Sequence, residues 1–336
     1  MRTDSLNGGA RGRALAGCLA ALLLGAAASA CSSSAAASPG GPAAAGALPK
    51  VSGAVGQEAT IVLPANTAAP AELSTRILVQ GSGSVLAAGE LAAVNYTAMD
   101  WTGAKMLGTT YSEDGGKTPN QPQVVTLGTS GLLSAWNTAL VGARVGSRIE
   151  VVSPPADAFG SAGNSKAGVA GSDDLVFVLD VVGGYPANAD ITGAQAAQTD
   201  AALPKITGEP GTGNPAVAIP AGVAPPTTLV SDVLIKGTGA AVAKGQTLVL
   251  QYTGVDWNTG KNFDSSFTRK QAYGVVIGAG QVIPGWDTGL VGKHVGDRVL
   301  LVIPPADGYG PSGGRPTAGI GAKDTLVFVV DIVDAL

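Results

Sequence analysis

Groups able to do covalent or acid–base chemistry are scarce in this chain of 336 residues. Its two cysteines, Cys18 and Cys31, lie near the N-terminus, and His294 is its one histidine. Past residue 31 the sequence therefore has no thiol nucleophile, disulfide or cysteine-bound zinc. Asp264 has no second acid at close spacing with which to share general acid–base work. No metal-ligand spacing and no cofactor motif occurs, so neither metal nor cofactor is expected. What stands out is a sparse set of aromatic residues, 4% of the chain, in short strings. These are Tyr252-Thr253-Gly254, Gly260 to Ser266 with Phe263 and Asp264, Gln281 to Trp286, Gly308-Tyr309-Gly310 and Leu326-Val327-Phe328. Such side chains act by shape, apolar contact and hydrogen bonding, without bond making.

The elements that position them are written twice. Leu48-Pro49-Lys50-Val51-Ser52-Gly53 returns as Leu203-Pro204-Lys205-Ile206-Thr207-Gly208. Tyr96-Thr97 with Asp100-Trp101 returns as Tyr252-Thr253 with Asp256-Trp257, and Pro154-Pro155-Ala156-Asp157 as Pro304-Pro305-Ala306-Asp307. A repeat of this length is a duplicated domain, since solenoid units are far shorter. Gly and Pro make up about a fifth of the chain, which favours short strands and turns. In the second copy Thr247 to Tyr252, Tyr273 to Ile277, Arg298 to Ile303 and Thr325 to Val333 read as strands. One helix is expected, Gly285 to Val291, after Pro284 and stopped by Gly292. The fold class is α+β, an antiparallel sheet around one short helix in each copy. Residues 48–71 and 203–225 lead into the two copies as an added strand or as linker, and the sequence leaves both readings open.

Over residues 229–334 the strings fall in the order and spacing of the FKBP-type peptidyl-prolyl cis-trans isomerases, a family this second copy strongly resembles. The resemblance implies two FKBP-like domains, each an antiparallel sheet half-wrapped around its helix, with an apolar pocket between. Carried over position by position, that pocket is Tyr252, Phe263, Asp264, Tyr273, Val282, Ile283, Trp286, Tyr309, Ile320 and Phe328. Trp286 matches the floor on which a substrate proline rests. The N–H of Ile283 and the hydroxyl of Tyr309 match groups that bond ligands. The implied activity is rotation about Xaa-Pro bonds, whose resonance sets a barrier of roughly 18–20 kcal/mol. A pocket of this kind holds the twisted, less polar amide better than the planar one. Proline-containing unfolded or exported polypeptides are the implied partners, and macrolide immunosuppressants the implied inhibitors. The string Gly313-Gly314-Arg315 departs from the family, which often carries His and bulkier residues there, and this bears on substrate preference.

Each of these residues also has a plainer reading. Trp286 or Phe328 alone reads as core, and Asp264 as a cap for the loop at Ser265-Ser266. His294 and Lys261 read as solvated, and Asp307 as ordering a turn. In the first copy Leu107 stands for Phe263, Gly108 for Asp264, Gln123 for Tyr273 and Phe159 for Tyr309. Leu132 and Leu133 replace Val282 and Ile283, while Trp136 and Phe177 are kept, and extra residues enlarge the loop at 114–121. The same fold with little or no isomerase activity is expected there.

Arg2, Arg11 and Arg13 followed by the apolar run Ala14 to Ala28 form a targeting signal. Ala28-Ser29-Ala30-Cys31 resembles a bacterial lipoprotein box, which implies a lipid on Cys31; ordinary secretion with cleavage after Ala30 is the alternative. The expected order is a signal peptide at 1–30, a lipid-anchored flexible tether and leader at 31–71, and a degenerate domain at 72–183. A linker and leader at 184–225 and the isomerase domain at 226–336 follow. The location implied is the outer face of the plasma membrane, with membrane contact through that lipid only. A net charge of −4 and no basic cluster past residue 13 exclude a nucleic-acid partner, and a monomer is expected. An enzyme is favoured over a catalytically idle chaperone or binding lipoprotein, and both over a structural protein of tandem β-sandwiches.

Overall fold

A computed structural model describes residues 47–112 and 120–336. The signal peptide, Cys31, the tether and most of the enlarged loop at 114–121 lie outside the described residues. The chain forms two compact units, with described residues 47–88, 94–111 and 127–182 in one and 89–93, 112, 120–126 and 183–336 in the other.

In the first copy the strands are β1 (Lys50–Ser52), β2 (Thr60–Val62), β3 (Ser74–Val79), β4 (Leu91–Asp100), β5 (Lys105–Thr109) and β6 (Gln123–Thr126). The helix α1 (Ser134–Leu140) leads to β7 (Arg148–Ser153) and β8 (Leu175–Tyr185). The sheet order is β3-β7-β8-β4-β5, with β6 also paired to β4, and β1 and β2 form a separate hairpin.

The second copy repeats the plan. It opens with the hairpin β9 (Lys205–Thr207) and β10 (Ala216–Ala218), then β11 (Val230–Ile235) and β12 (Thr247–Asp256). Next come β13 (Asn262–Ser265), a one-turn helix α2 (Ser266–Arg269), β14 (Tyr273–Val276) and the helix α3 (Pro284–Leu290). The chain closes with β15 (Arg298–Ile303), the short flap pair β16 (Gly314–Arg315) and β17 (Ile320–Gly321), and β18 (Leu326–Ala335). The order β11-β15-β18-β12-β13 is antiparallel throughout. The free side of β12 is shared: its first half pairs β14, its second half β13.

The helix α3 starts one residue earlier than the sequence suggests, because Pro284 occupies its first position, where a fixed φ and a missing N–H cost nothing. Beyond Val291 the chain turns at Gly292 with φ +83°, a left-handed conformation that suits glycine. The turn α2 was not expected; Ser265 nucleates it by accepting from the N–H of Thr268.

Strand side chains alternate between two faces, and here both faces are covered. Leu248, Leu250 and Tyr252 of β12, Leu301 of β15 and Phe328 of β18 pack with Trp286 and Leu290 of α3. Val255 and Trp257, with Leu300, Val302, Val327 and Val329, pack on the opposite side with Ile206 of the hairpin. This double burial accounts for the unbroken apolar run Val299–Ile303. The leader at 203–219 is thus a hairpin lying on the sheet, the added-strand alternative of the two that the sequence leaves open. Residues 48–63 do the same in the first copy, with Ile61 packed among Trp101, Val152, Val176 and Val178.

Each hairpin is also held by a buried ion pair. Arg298 donates through Nε and Nη2 to the two carboxylate oxygens of Asp331, both at 2.7 Å, and through Nη1 to the carbonyl of Gly208 at 2.6 Å. Arg148 donates likewise to Asp180, at 2.6 and 2.7 Å, and to the carbonyls of Gly53 and Gln57. Fully buried charges of this kind are tolerable only when paired and hydrogen-bonded.

Candidate active site

The cleft is built by four elements around the end of α3. Strand β12 delivers Tyr252, and β13 delivers Phe263 and Asp264. Tyr273 opens β14, and Val282 and Ile283 precede the helix whose first turn carries Trp286. Nine of the ten residues named from the sequence line one cleft of about 840 Å3: Tyr252, Phe263, Asp264, Tyr273, Val282, Ile283, Trp286, Tyr309 and Phe328. The tenth, Ile320, does not line it. At 2% exposure it is core beneath the flap, because its strand β17 pairs with β16 and turns the side chain inward.

The walls are aromatic rings meeting edge to face. Trp286 lies 5.3 Å from Tyr252 and 5.2 Å from Phe328, centroid to centroid, with planes 84° and 88° apart. Phe263 stands against Phe328 at 5.5 Å, and Tyr273 against Tyr252 at 5.7 Å. Rings interlocked at right angles cannot slide past one another, so the cleft keeps its shape without a ligand. Trp286 and Phe328 are buried, while Phe263, Tyr273, Val282, Ile283 and Tyr309 are half-buried. The floor is therefore packed from below and the walls stay open above it. Among the described residues the indole N–H of Trp286 has no partner, and neither has that of Trp136 in the first copy, so this orphan is common to both copies.

Phe263 fits because Gly254 leaves room for its ring. The register pairs Gly254 with Asp264, and a Cβ at Gly254 would sit 2.7 Å from the Phe263 ring and 2.9 Å from that of Phe328. In the first copy the corresponding pair is Ala98 with Gly108. Ala98 carries the methyl that Gly254 excludes, and the neighbouring side chain there is the smaller Leu107.

One polar network lines the wall. The Tyr252 hydroxyl donates to Asp264 Oδ2 at 2.5 Å and accepts from Nη2 of Arg269 at 2.9 Å. Arg269 also pairs with Asp264 Oδ1 and holds its guanidinium 5.3 Å from the Tyr252 ring centroid. Asp264 thus orients Tyr252, and capping of the turn falls to Ser265. Burial pushes the Tyr252 hydroxyl above its ordinary pKa, against the pull of Arg269. Tyr273 is raised too, first by burial and then by Tyr309. Tyr309 accepts from Arg315 Nη1 at 3.2 Å, which leaves its own proton to donate. The carbonyl of Ile283 accepts from Trp286 N at 2.9 Å, while its N–H meets no acceptor among the described residues.

Sequence reasoning missed Arg269, and it placed no role on Arg315, which lines the cleft mouth. The signal for Arg269 was the spacing from Asp264 across one helical turn, hidden because four residues are too few for a periodic pattern. The hairpin also reaches the wall: Asn214 Oδ1 accepts from the Ser265 hydroxyl at 2.9 Å and from that of Thr253. His294 is half-buried in a β-bridge with Ala241, not solvated as expected. Lys261 is exposed, and the N–H of Asp307 closes a turn on Pro304.

The same framework in the first copy carries different wall residues. Tyr96, Trp136 and Phe177 keep their ring contacts, at 5.4 and 5.7 Å. Leu107, Leu132 and Leu133 are all buried, at 4, 7 and 8% exposure, where Phe263, Val282 and Ile283 are half-buried. Neither the carboxylate of Asp264 nor the hydroxyl of Tyr309 has a counterpart.

Over 122 residues the chain is 39% identical to a probable FK506-binding protein of Corynebacterium glutamicum, covering 36% of this chain and 98% of that protein. It is 40% identical over 119 residues to an FK506-binding protein of Streptomyces anulatus, covering 35% of this chain and 94% of the other. Among solved structures it is similar to AtFKBP13, with 31% identity, 33% of this chain and 96% of that one covered, and a TM-score of 0.30. The sequence pattern described as FKBP-type peptidyl-prolyl cis-trans isomerase matches residues 83–182 and again 239–333, and the chain belongs to that family.

Proposed function

We propose that the C-terminal unit accelerates cis–trans rotation of Xaa-Pro bonds in exported polypeptides, and that the first unit has little or none of this activity. The observation that carries this reading is the contrast between two copies of one fold, one with a cleft walled by half-buried aromatic rings over its Trp-Phe floor and one with buried leucines at the matching positions. At half rotation the amide loses resonance and its carbonyl loses polarity, so an apolar, ring-walled cleft stabilises that state over the planar one. The Trp286 floor and the Phe263 and Tyr273 walls hold the proline ring. The Ile283 N–H and the Tyr309 hydroxyl face the site as donors, and Asp264 with Arg269 keeps Tyr252 from swinging into it. A ten-thousand-fold acceleration needs about 5.5 kcal/mol, within the reach of fixed shape and one or two hydrogen bonds. No proton has to move.

FK506-type macrolides are proposed as inhibitors at this cleft, and proline-containing unfolded chains as its substrates. The chain is proposed to work as a monomer at the outer face of the plasma membrane, held by a lipid on Cys31. Support for that placement is the Ala28-Ser29-Ala30-Cys31 string alone. Radiolabelled fatty acid entering the wild type but not Cys31→Ser tests it.

The catalytic test is a proline-peptide isomerisation assay on the full chain carrying Asp264→Asn and Tyr309→Phe together. Loss of more than about nine-tenths of kcat/KM is expected. Retention of half or more would mean that the first unit works or that the site is misplaced. A wild type that suppresses aggregation without accelerating any peptide would select the idle chaperone instead.

A further inference from the structure

We propose that Arg315 makes the cleft select prolines flanked by an acidic residue, an inference that rests on the isomerase reading above. Arg315 lies on β16, paired with Ile320 of β17, so the flap carries it over the cleft mouth. Its guanidinium donates to the Tyr309 hydroxyl at 3.2 Å and lies 5.7 Å from the centroid of that ring. These two contacts fix a cation at the rim instead of letting it extend into solvent.

Its charge is not spent on a carboxylate among the described residues. Across the cleft Arg269 is paired with Asp264, and the other ion pairs among the described residues are Arg76 with Glu150, Arg148 with Asp180 and Arg298 with Asp331. Arg315 has no carboxylate within ion-pair distance among the described residues. The cleft and its rim therefore hold one cation in excess, on a chain whose net charge is −4. Both guanidinia pull the Tyr273 hydroxyl downward, so their fields overlap inside the cleft.

A proline ring on the Trp286 floor sends the side chains of its neighbours toward this rim. A Glu or Asp there meets a planar fork of donors that suits a carboxylate, and a Lys meets a like charge. Because Arg315 is exposed, the pair is screened, and the expected preference is about two- to fivefold at low salt.

The test uses the full chain and two peptide sets, with Glu, Gln, Leu or Lys placed before the proline or after it. The readout is the ratio of kcat/KM for Glu to that for Lys, because a merely structural role would change both rates alike. In at least one set the wild-type ratio is expected to exceed two and to fall toward one in 0.5 M NaCl. Arg315→Lys should keep the preference, Arg315→Gln flatten it and Arg315→Glu invert it. A ratio near one in both wild-type sets, or a preference that survives in Arg315→Glu, would overturn the proposal. If no peptide at all is accelerated, the isomerase reading has failed and takes the proposal with it, a result distinct from an active enzyme blind to charge.

Discussion

Ile206→Ala probes whether the leader hairpin is part of the catalytic domain. Ile206 is 2% exposed and packs with Leu300, Val302, Val327 and Val329 on the face of the sheet away from the cleft. Cutting a buried Ile to Ala costs about 2–5 kcal/mol, the spread reflecting how far the site can collapse. The hairpin is short, with three paired residues in each strand, so it can settle inward, and the lower end of about 2–3 kcal/mol is expected. With a urea dependence of about 1.5–2 kcal/mol per molar for a domain of this size, the midpoint should fall by about 1–2 M. Residual isomerase activity in urea is the better assay, since the four tryptophans at 101, 136, 257 and 286 are spread over both copies and mix their fluorescence. Activity without urea should stay within about twofold, because Ile206 does not touch the cleft. A midpoint shift below about 0.3 M would mean that the hairpin hangs loosely and the sheet face needs no cover. A loss of activity without a midpoint shift would contradict the reasoning differently, showing that the hairpin acts on the cleft wall through Asn214.

Two more predictions bear on the cleft. Gly254→Ala should cost about 1–3 kcal/mol, because its methyl overlaps the Phe263 and Phe328 rings. Adding Phe263→Leu, which copies Ala98 with Leu107, should restore the urea midpoint but not kcat/KM; a single variant as stable and active as wild type would undo the packing argument. Second, kcat/KM should be flat from pH 6 to 9. Burial raises the Tyr252 and Tyr273 hydroxyls above the ordinary value of 10.0, so their protonated forms, and the stability those forms contribute, are complete below that value and lost above it. A sloping limb in this window would point to proton transfer in the rate-limiting step and reject a mechanism of shape alone.

The cleft was legible because its parts sit in unbroken strings, where Val282 to Trp286 or Phe263 to Ser266 fix one another's place. The inward face of Ile320 was illegible because a two-residue strand has no pattern from which to read it. The hairpins were hard to read for the same reason, and the clearest hint was that Leu-Pro-Lys-Val/Ile-Ser/Thr-Gly occurs before both copies. The ion pairs were illegible for another reason. Arg298 and Asp331 are opposed only by the register of β15 on β18, and a charged residue in a strand ordinarily faces water. Their meaning appears once both faces of the sheet are seen to be covered. Arg148 and Asp180, at the same register in β7 and β8, repeat it.

The duplication serves as an internal control on what an open cleft requires. Both copies keep the sheet order, the helix, the buried arginine and the Trp-Phe floor, so none of these distinguishes the two. What differs is a handful of positions on the walls. Phe263 is allowed by Gly254 and excluded by Ala98, and Asp264 with Arg269 steadies Tyr252 where Gly108 offers no carboxylate. Tyr309 presents a hydroxyl where Phe159 presents none. These positions lie on β12, β13 and the flap approach, away from the strands β15 and β18 that hold the core together. A wall can therefore be lost in one copy while its fold survives, since burying leucines in place of open aromatic walls adds apolar contact and removes a polar network. The first copy buries leucines at wall positions where the second leaves Phe263, Val282 and Ile283 half-buried, an arrangement that packing alone does not favour and that a bound apolar ring would stabilise.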